Sequence, residues 1–123
     1  MLNNELKEMT QYIEPSIEDH MVCVNISKTF DAKERMDNYD RARHYWRLDV
    51  NRAEKANLVL ATVHGIVVAV FHPTQWYKSK IYKGKTERYE FEGIEIEDSP
   101  YLGKCVWNIV NPKSQNPVSY INL

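Results

Sequence analysis

The sequence predicts an α+β domain: a mostly antiparallel sheet, curled or closed into a small β-barrel, with one or two short helices. Three observations predict it. Two β-branched runs, 58–63 and 66–71, flank the pair His64-Gly65. Other runs of strand length recur along the chain, about six strands in all. Helical spacing is confined to short stretches, so no long crossover helix is available to join parallel strands. The length, 123 residues, suits one domain. A sheet this small often closes to protect its edges.

Taken in order, Leu2, Leu6, Met9 and Ile13 fall on one helical face and predict an amphipathic helix over 2–13. Glu14-Pro15 ends it, because the residue before proline avoids helical angles. Residues 1–20 thus form an acidic N-terminal helix or arm, and 21–123 a single β-rich domain. Val22, Val24 and Ile26 alternate with Cys23, Asn25 and Ser27, which predicts a strand over 21–30. Residues 31–41 are polar without a clean period, a loop or a helical turn. His44-Tyr45-Trp46-Arg47-Leu48 reads as a short aromatic strand. Asp49 or Asn51 caps a two-turn helix that ends near Asn57. The runs around His64-Gly65 form a hairpin whose turn wants positive φ. Both are almost continuously apolar, so the hairpin is central and covered on both faces. His72-Pro73-Thr74 leaves it. A basic segment over 78–85 precedes 87–92, where polar and aromatic residues alternate as in a strand with one solvated face. Gly93 interrupts that strand, and Ile94 and Ile96 resume it. Residues 101–106 are a short extended piece. Residues 116–123 are a final strand that returns to the sheet, and a homo-oligomer through its edge is expected to be open to it.

Composition removes whole classes. Apolar residues are 43% and charged residues 27%, with formal net charge −1; these values exclude collagen, a disordered tail and a disulfide scaffold. A protein that coats nucleic acid by bulk charge needs a large basic excess. No basic leader with an apolar core precedes the domain, and the longest apolar run, 66–71, is far short of a membrane span. No membrane partner and a cytoplasmic location are expected. Cys23 and Cys105 lie in apolar strand-like runs and read as buried free thiols. Two cysteines and four scattered histidines show no metal-ligand spacing, so neither a metal nor another cofactor is expected. No Walker motif and no Gly-x-Ser-x-Gly elbow occur. Glu90 and Glu92 share one strand face and cannot flank a glycosidic bond.

The near-zero charge is a sum of opposed blocks. Residues 1–20 carry −4, 41–55 carry +3, 76–89 carry +4 and 90–98 carry −5. Aromatic residues, 11% of the chain, sit in and beside the two basic blocks. As a strand, 43–47 would turn Arg43, Tyr45 and Arg47 to one side and His44, Trp46 and Leu48 to the core. A guanidinium pair beside a tyrosine suits phosphate contact and base stacking. Trp76 and Tyr77, followed by Lys78, Lys80, Lys83, Lys85 and Arg88, resemble a nucleic-acid-binding loop. The candidate ligand-binding residues are therefore Arg43, Tyr45, Arg47, Trp76, Tyr77 and Arg88, with no catalytic residue assigned. The plainer reading makes Trp46 core, pairs the arginines with nearby acids, and leaves the lysines on a solvated hairpin loop.

Several segments together resemble a small prokaryotic and archaeal domain family. They are 22–29, Arg43-His44-Tyr45-Trp46-Arg47, Arg52-Ala53-Glu54-Lys55-Ala56, the hairpin 59–71, Trp76, Arg88-Tyr89-Glu90-Phe91-Glu92-Gly93 and 116–122. In that family the domain stands alone or accompanies a GIY-YIG-type nuclease, whose catalytic module this chain lacks. The phrase Lys55-Ala56-Asn57-Leu58-Val59-Leu60 with Gly65-Ile66-Val67-Val68-Ala69-Val70 is similar to the central hairpin of PUA-like barrels of the ASCH and EVE types. That similarity implies a PUA-like barrel that binds RNA or a modified base beside it.

The leading expectation is a non-enzymatic recognition domain that binds a nucleotide or nucleic-acid element through an Arg/aromatic pocket. A second reading is a protein-interaction module, an inhibitor or adaptor in a phage-defence or nuclease system; its segregated charge would steer a protein partner. A third is a small nuclease or hydrolase with His44, His64 or His72 as base.

Overall fold

A computed structural model describes residues 11–35, 37–80 and 87–123. The strands are β1 (Met21–Asn25), β2 (Leu58–Val63), β3 (Ile66–Lys78), β4 (Tyr89–Glu95) and β5 (Val118–Ile121). The helices are α1 (Ser27–Asp31), α2 (Asn38–Arg43) and α3 (Val50–Ala53). The five strands form one sheet in the order β4-β3-β2-β1-β5.

The class is α+β, as the sequence predicts, but the sheet is open. β4 and β5 lie at opposite ends of the strand order, so the small barrel, PUA-like or otherwise, is not formed. The pairing is mixed. β1 and β2 run parallel, with Met21 opposite Leu58 and Asn25 opposite Thr62. The other three pairs are antiparallel. Three short helices in the β1–β2 connection do the work expected of one long crossover helix.

The hairpin follows local chemistry. His64 and Gly65 have φ of 49° and 84°, the left-handed values a primed turn needs. A Cβ on Gly65 would stand 2.4 Å from the Trp107 indole, so glycine also makes room for that ring. The strand does not stop at His72-Pro73-Thr74. β3 continues to Lys78, and its register against β4 shifts between Pro73 and Gln75. A bulge is a place where a strand tolerates proline. β4 likewise runs through Gly93, where an added Cβ would sit 2.6 Å from the His72 carbonyl oxygen. Close backbone approach, rather than a break, explains that glycine.

Alternation along β1 and β2 divides the core between the two sheet faces. Val22, Val24, Val59, Ala61 and Phe71 pack with Ala42 of α2 and Ala53 of α3. Met21, Cys23, Leu60 and Val70 pack with Ile13, Tyr101 and Val106. The central hairpin is therefore covered on both faces, as expected. Of the helix predicted over 2–13, residues 1–10 lie outside the described residues. Tyr12 instead forms a parallel bridge with Cys105, and Ile13 is buried. Both cysteines are free and buried. Burial pushes the Cys23 thiol up to about 12, against a smaller opposing effect of its hydrogen bond with Thr62.

Four other expectations are corrected. The first strand ends at Asn25, and residues 27–31 turn into α1. The Asn25 side chain accepts from the Ser27 amide and hydroxyl at 2.9 and 2.5 Å, a local bond that competes with continued pairing. The aromatic strand over 44–48 is also absent. Arg43 closes α2, and only Trp46 pairs, in a single bridge with Tyr89. Asp49 caps α3 by accepting from the Asn51 and Arg52 amides, but the helix has one turn, not two. The extended piece expected over 101–106 is a set of turns, with Cys105 bridging Ile66 and Tyr12. The final strand is β5, antiparallel to β1.

The outer edge of β4 is closed by the α2 region. Trp46 and Tyr89 exchange both main-chain hydrogen bonds, at 2.9 and 2.8 Å. Arg43 Nε donates to the Phe91 carbonyl at 3.2 Å, and the Gly93 amide donates to the Tyr39 hydroxyl at 3.0 Å. Among the described residues no helix is long and apolar enough to cross a membrane.

Candidate functional site

The six residues singled out by sequence do not surround one cavity. Arg43, at the end of α2, donates from Nη2 to the Tyr77 hydroxyl at 2.6 Å and stands 3.5 Å from a Glu90 carboxylate oxygen. Glu90 is 6% exposed and sits opposite Tyr77 in the β3–β4 ladder. Burial first, then its hydrogen bond to Glu90, pushes the Tyr77 hydroxyl up to about 12. Arg43 and Tyr77 thus engage one Glu90 oxygen, while the second, Oε2, is buried without a partner among the described residues; the basic block meets the acidic block here.

Adjacent strand residues face opposite ways, so Trp76 and Tyr77 make no common wall. The Trp76 ring packs on Phe91 with centroids 5.0 Å apart. It borders a shallow cleft with Glu54, Pro73 and Gln75. Arg47 is exposed and Arg88 half-buried. Of the basic segment over 78–85, residues 81–86 lie outside the described residues.

Tyr45 leads to a different cluster. A cavity of about 210 Å³ is lined by Asn25, Lys28, Thr29, Arg35, Arg41, His44, Tyr45, Trp46 and Pro117. The end of β1, two helices and three loops supply it. Arg35 has φ of 66°, an unusual left-handed backbone for a side chain of this size. Its Nη1 donates to the main-chain carbonyl of His44, and its guanidinium lies 5.4 Å from the Tyr45 ring centre. The His44 ring also stacks on Tyr45, with centroids 4.2 Å apart. Arg41 donates to the Glu34 carbonyl at 2.9 Å and the Asn38 amide oxygen at 2.8 Å, and covers Phe30. These acceptors are neutral, so they orient both guanidinium groups without cancelling their charge. The Trp46 indole donates to the Ala42 carbonyl at 2.6 Å and is thereby fixed.

His44 bridges the two clusters. Its Nε2 is 3.4 Å from Asp40, and its Nδ1 is buried without a partner among the described residues. Burial lowers its pKa below the ordinary value, and Arg35 and Arg43 push the same way against Glu90 and Asp40. The other two histidines considered as bases stand elsewhere: His64 pairs with Asp31 at 2.9 Å, and His72 Nδ1 meets the Asn57 carbonyl at 3.0 Å. Among the described residues no group of three His, Cys, Asp or Glu is placed to hold a metal ion.

Sequence reasoning missed Lys28 and Arg35. Both lie in segments read as strand and as unpatterned loop. No charge signal marked them, because residues 28–41 hold four basic and four acidic residues, and only the fold sorts Lys28, Arg35 and Arg41 toward the aromatic run. No family model, curated protein or solved structure matches this chain.

Proposed function

We propose that the protein is a recognition domain for a phosphate-bearing ligand, a nucleotide or nucleic-acid element, bound at the cavity between α1, α2 and Tyr45. The observation that carries this reading is the set Lys28, Arg35 and Arg41 around an aromatic wall of His44, Tyr45 and Trp46. Arginine held by neutral carbonyls keeps its planar donors and full charge for an anion. The wall lowers the local dielectric and strengthens that attraction. Recognition is favoured over catalysis because the three candidate bases occupy separate surroundings. Of the residues first expected to bind, Tyr45 remains in the site, while Arg43 and Tyr77 brace it from the β4 side.

Lys28 is the clean probe, since it is exposed on α1. In calorimetric titration with nucleoside monophosphates at low salt, the parent protein is expected to bind. Lys28→Glu is expected to weaken binding at least tenfold with an unchanged melting temperature, because it converts attraction to repulsion. Raised salt should weaken the parent's binding as well. Equal affinity of parent and variant would remove the site from this reading.

A further inference from the structure

A second cavity of about 210 Å³ adjoins the cationic one, and Asn25 and Pro117 line both. Its other walls include His64, Gly65, Trp107, Asn111, Asn116 and Ser119. It stands at the carboxyl ends of the parallel pair β1 and β2, where open sheets with parallel strands commonly receive ligands. The two halves differ in chemistry: one is cationic and aromatic, the other neutral, amide-rich and without a basic side chain other than His64.

The asparagines have a fixed orientation. Asn25 Oδ1 accepts from the Ser27 amide at 2.9 Å, Asn111 Oδ1 from the Lys113 amide at 2.9 Å, and Asn116 Oδ1 from the Val118 amide at 3.0 Å. A main-chain N–H can be received only by the oxygen of a carboxamide. All three side chains therefore keep their NH2 ends as donors. Trp107 supplies an apolar surface. Its indole is seated on Gly65, and the residue is 48% exposed. In the cationic cavity, by contrast, the Tyr45 ring is already engaged by His44 and Arg35. A flat ring thus finds its stacking surface in the second cavity rather than the first.

We infer that the two cavities form one nucleotide site, with phosphate at Lys28, Arg35 and Arg41 and an oxo-substituted base, of the uracil or guanine type, stacked on Trp107. The asparagine donors meet the carbonyl oxygens of such a base. Adenine presents an amino group where those donors need an acceptor, so it is disfavoured. The inference rests on the phosphate reading above and adds the identity of the base.

The test is calorimetric titration of the full chain with UMP, GMP, AMP and inorganic phosphate. UMP or GMP should bind at least tenfold more tightly than AMP, in line with the discrimination one well-placed amide contact supplies. Trp107→Ala should remove most of that margin yet leave phosphate affinity unchanged. Lys28→Glu should weaken every ligand together. Equal binding of all nucleotides, with Trp107→Ala silent, would overturn the base assignment and leave the phosphate site standing. No binding of any nucleotide or of phosphate would overturn both. If Trp107→Ala does not fold, Asn111→Asp keeps the test: turning a donor into an acceptor should cut UMP and GMP binding, and an unchanged preference would count against the inference.

Discussion

At the scale of single residues, Arg43 and Glu90 show how a charged side chain read as a ligand contact becomes a brace. Glu90 is buried at 6% exposure and faces Arg43 at 3.5 Å. Removing the guanidinium leaves a carboxylate in a poorly hydrated place, which costs about 3 kcal/mol or more. Arg43→Leu is accordingly expected to lose about 3 kcal/mol in urea denaturation at neutral pH. Adding Glu90→Gln should return part of that loss, since the orphaned charge is gone. His44 sets an acid limit. Its folded pKa lies below its ordinary value, so the stability gained from a neutral ring is complete above pH 6.5 and drains away as pH falls through the folded value. His44→Gln should therefore flatten the stability profile below pH 6.5, measured by denaturation at each pH. The sequence displayed the ingredients of the site, arginines beside aromatics, but not their partners. Arg43 meets Tyr77 and Glu90 only because β3 and β4 bring them there. No spacing within 41–47 encodes that distance.

At the scale of elements, what was legible was local. The hairpin turn, the Asp49 cap and the burial of the central runs all depend on neighbours within a few residues. Asp49→Ala should cost about 1 kcal/mol, because two amides of α3 lose their acceptor; thermal denaturation would read it. The errors arose where alternation and long-range pairing disagree. His44 to Leu48 alternates like a strand, yet only Trp46 meets a partner, because Arg43 and Trp46 are spent on closing β4. The basic cavity was illegible for a related reason: Lys28 comes from a five-residue helix and Arg35 from a left-handed loop position, both too short to leave a periodic trace.

At the scale of the molecule, the topology mixes one local pair with one distant pair. β2 and β3 are joined by two residues, whereas residues 26–57 separate β1 from its parallel partner β2. Loop closure over such a span is slow relative to hairpin formation. In pulsed hydrogen exchange during refolding, amides of the β2–β3 hairpin should gain protection before those of β1 and β5. Simultaneous protection of all four strands would refute that order. The parallel pair also explains why the barrel was expected and not found: absence of a long helix argued for all-antiparallel closure, while three short helices span the crossover and spread over one face.

The closed flank of β4 has one more consequence. Tyr39, Arg43 and Trp46 occupy main-chain positions that a strand from another molecule would otherwise take. Should α2 detach while the sheet persists, the bared flank becomes a seed for fibrillar growth. Tyr39 and Arg43 through their side chains, and Trp46 through its main chain, thus take up the hydrogen bonds by which another copy would add to β4.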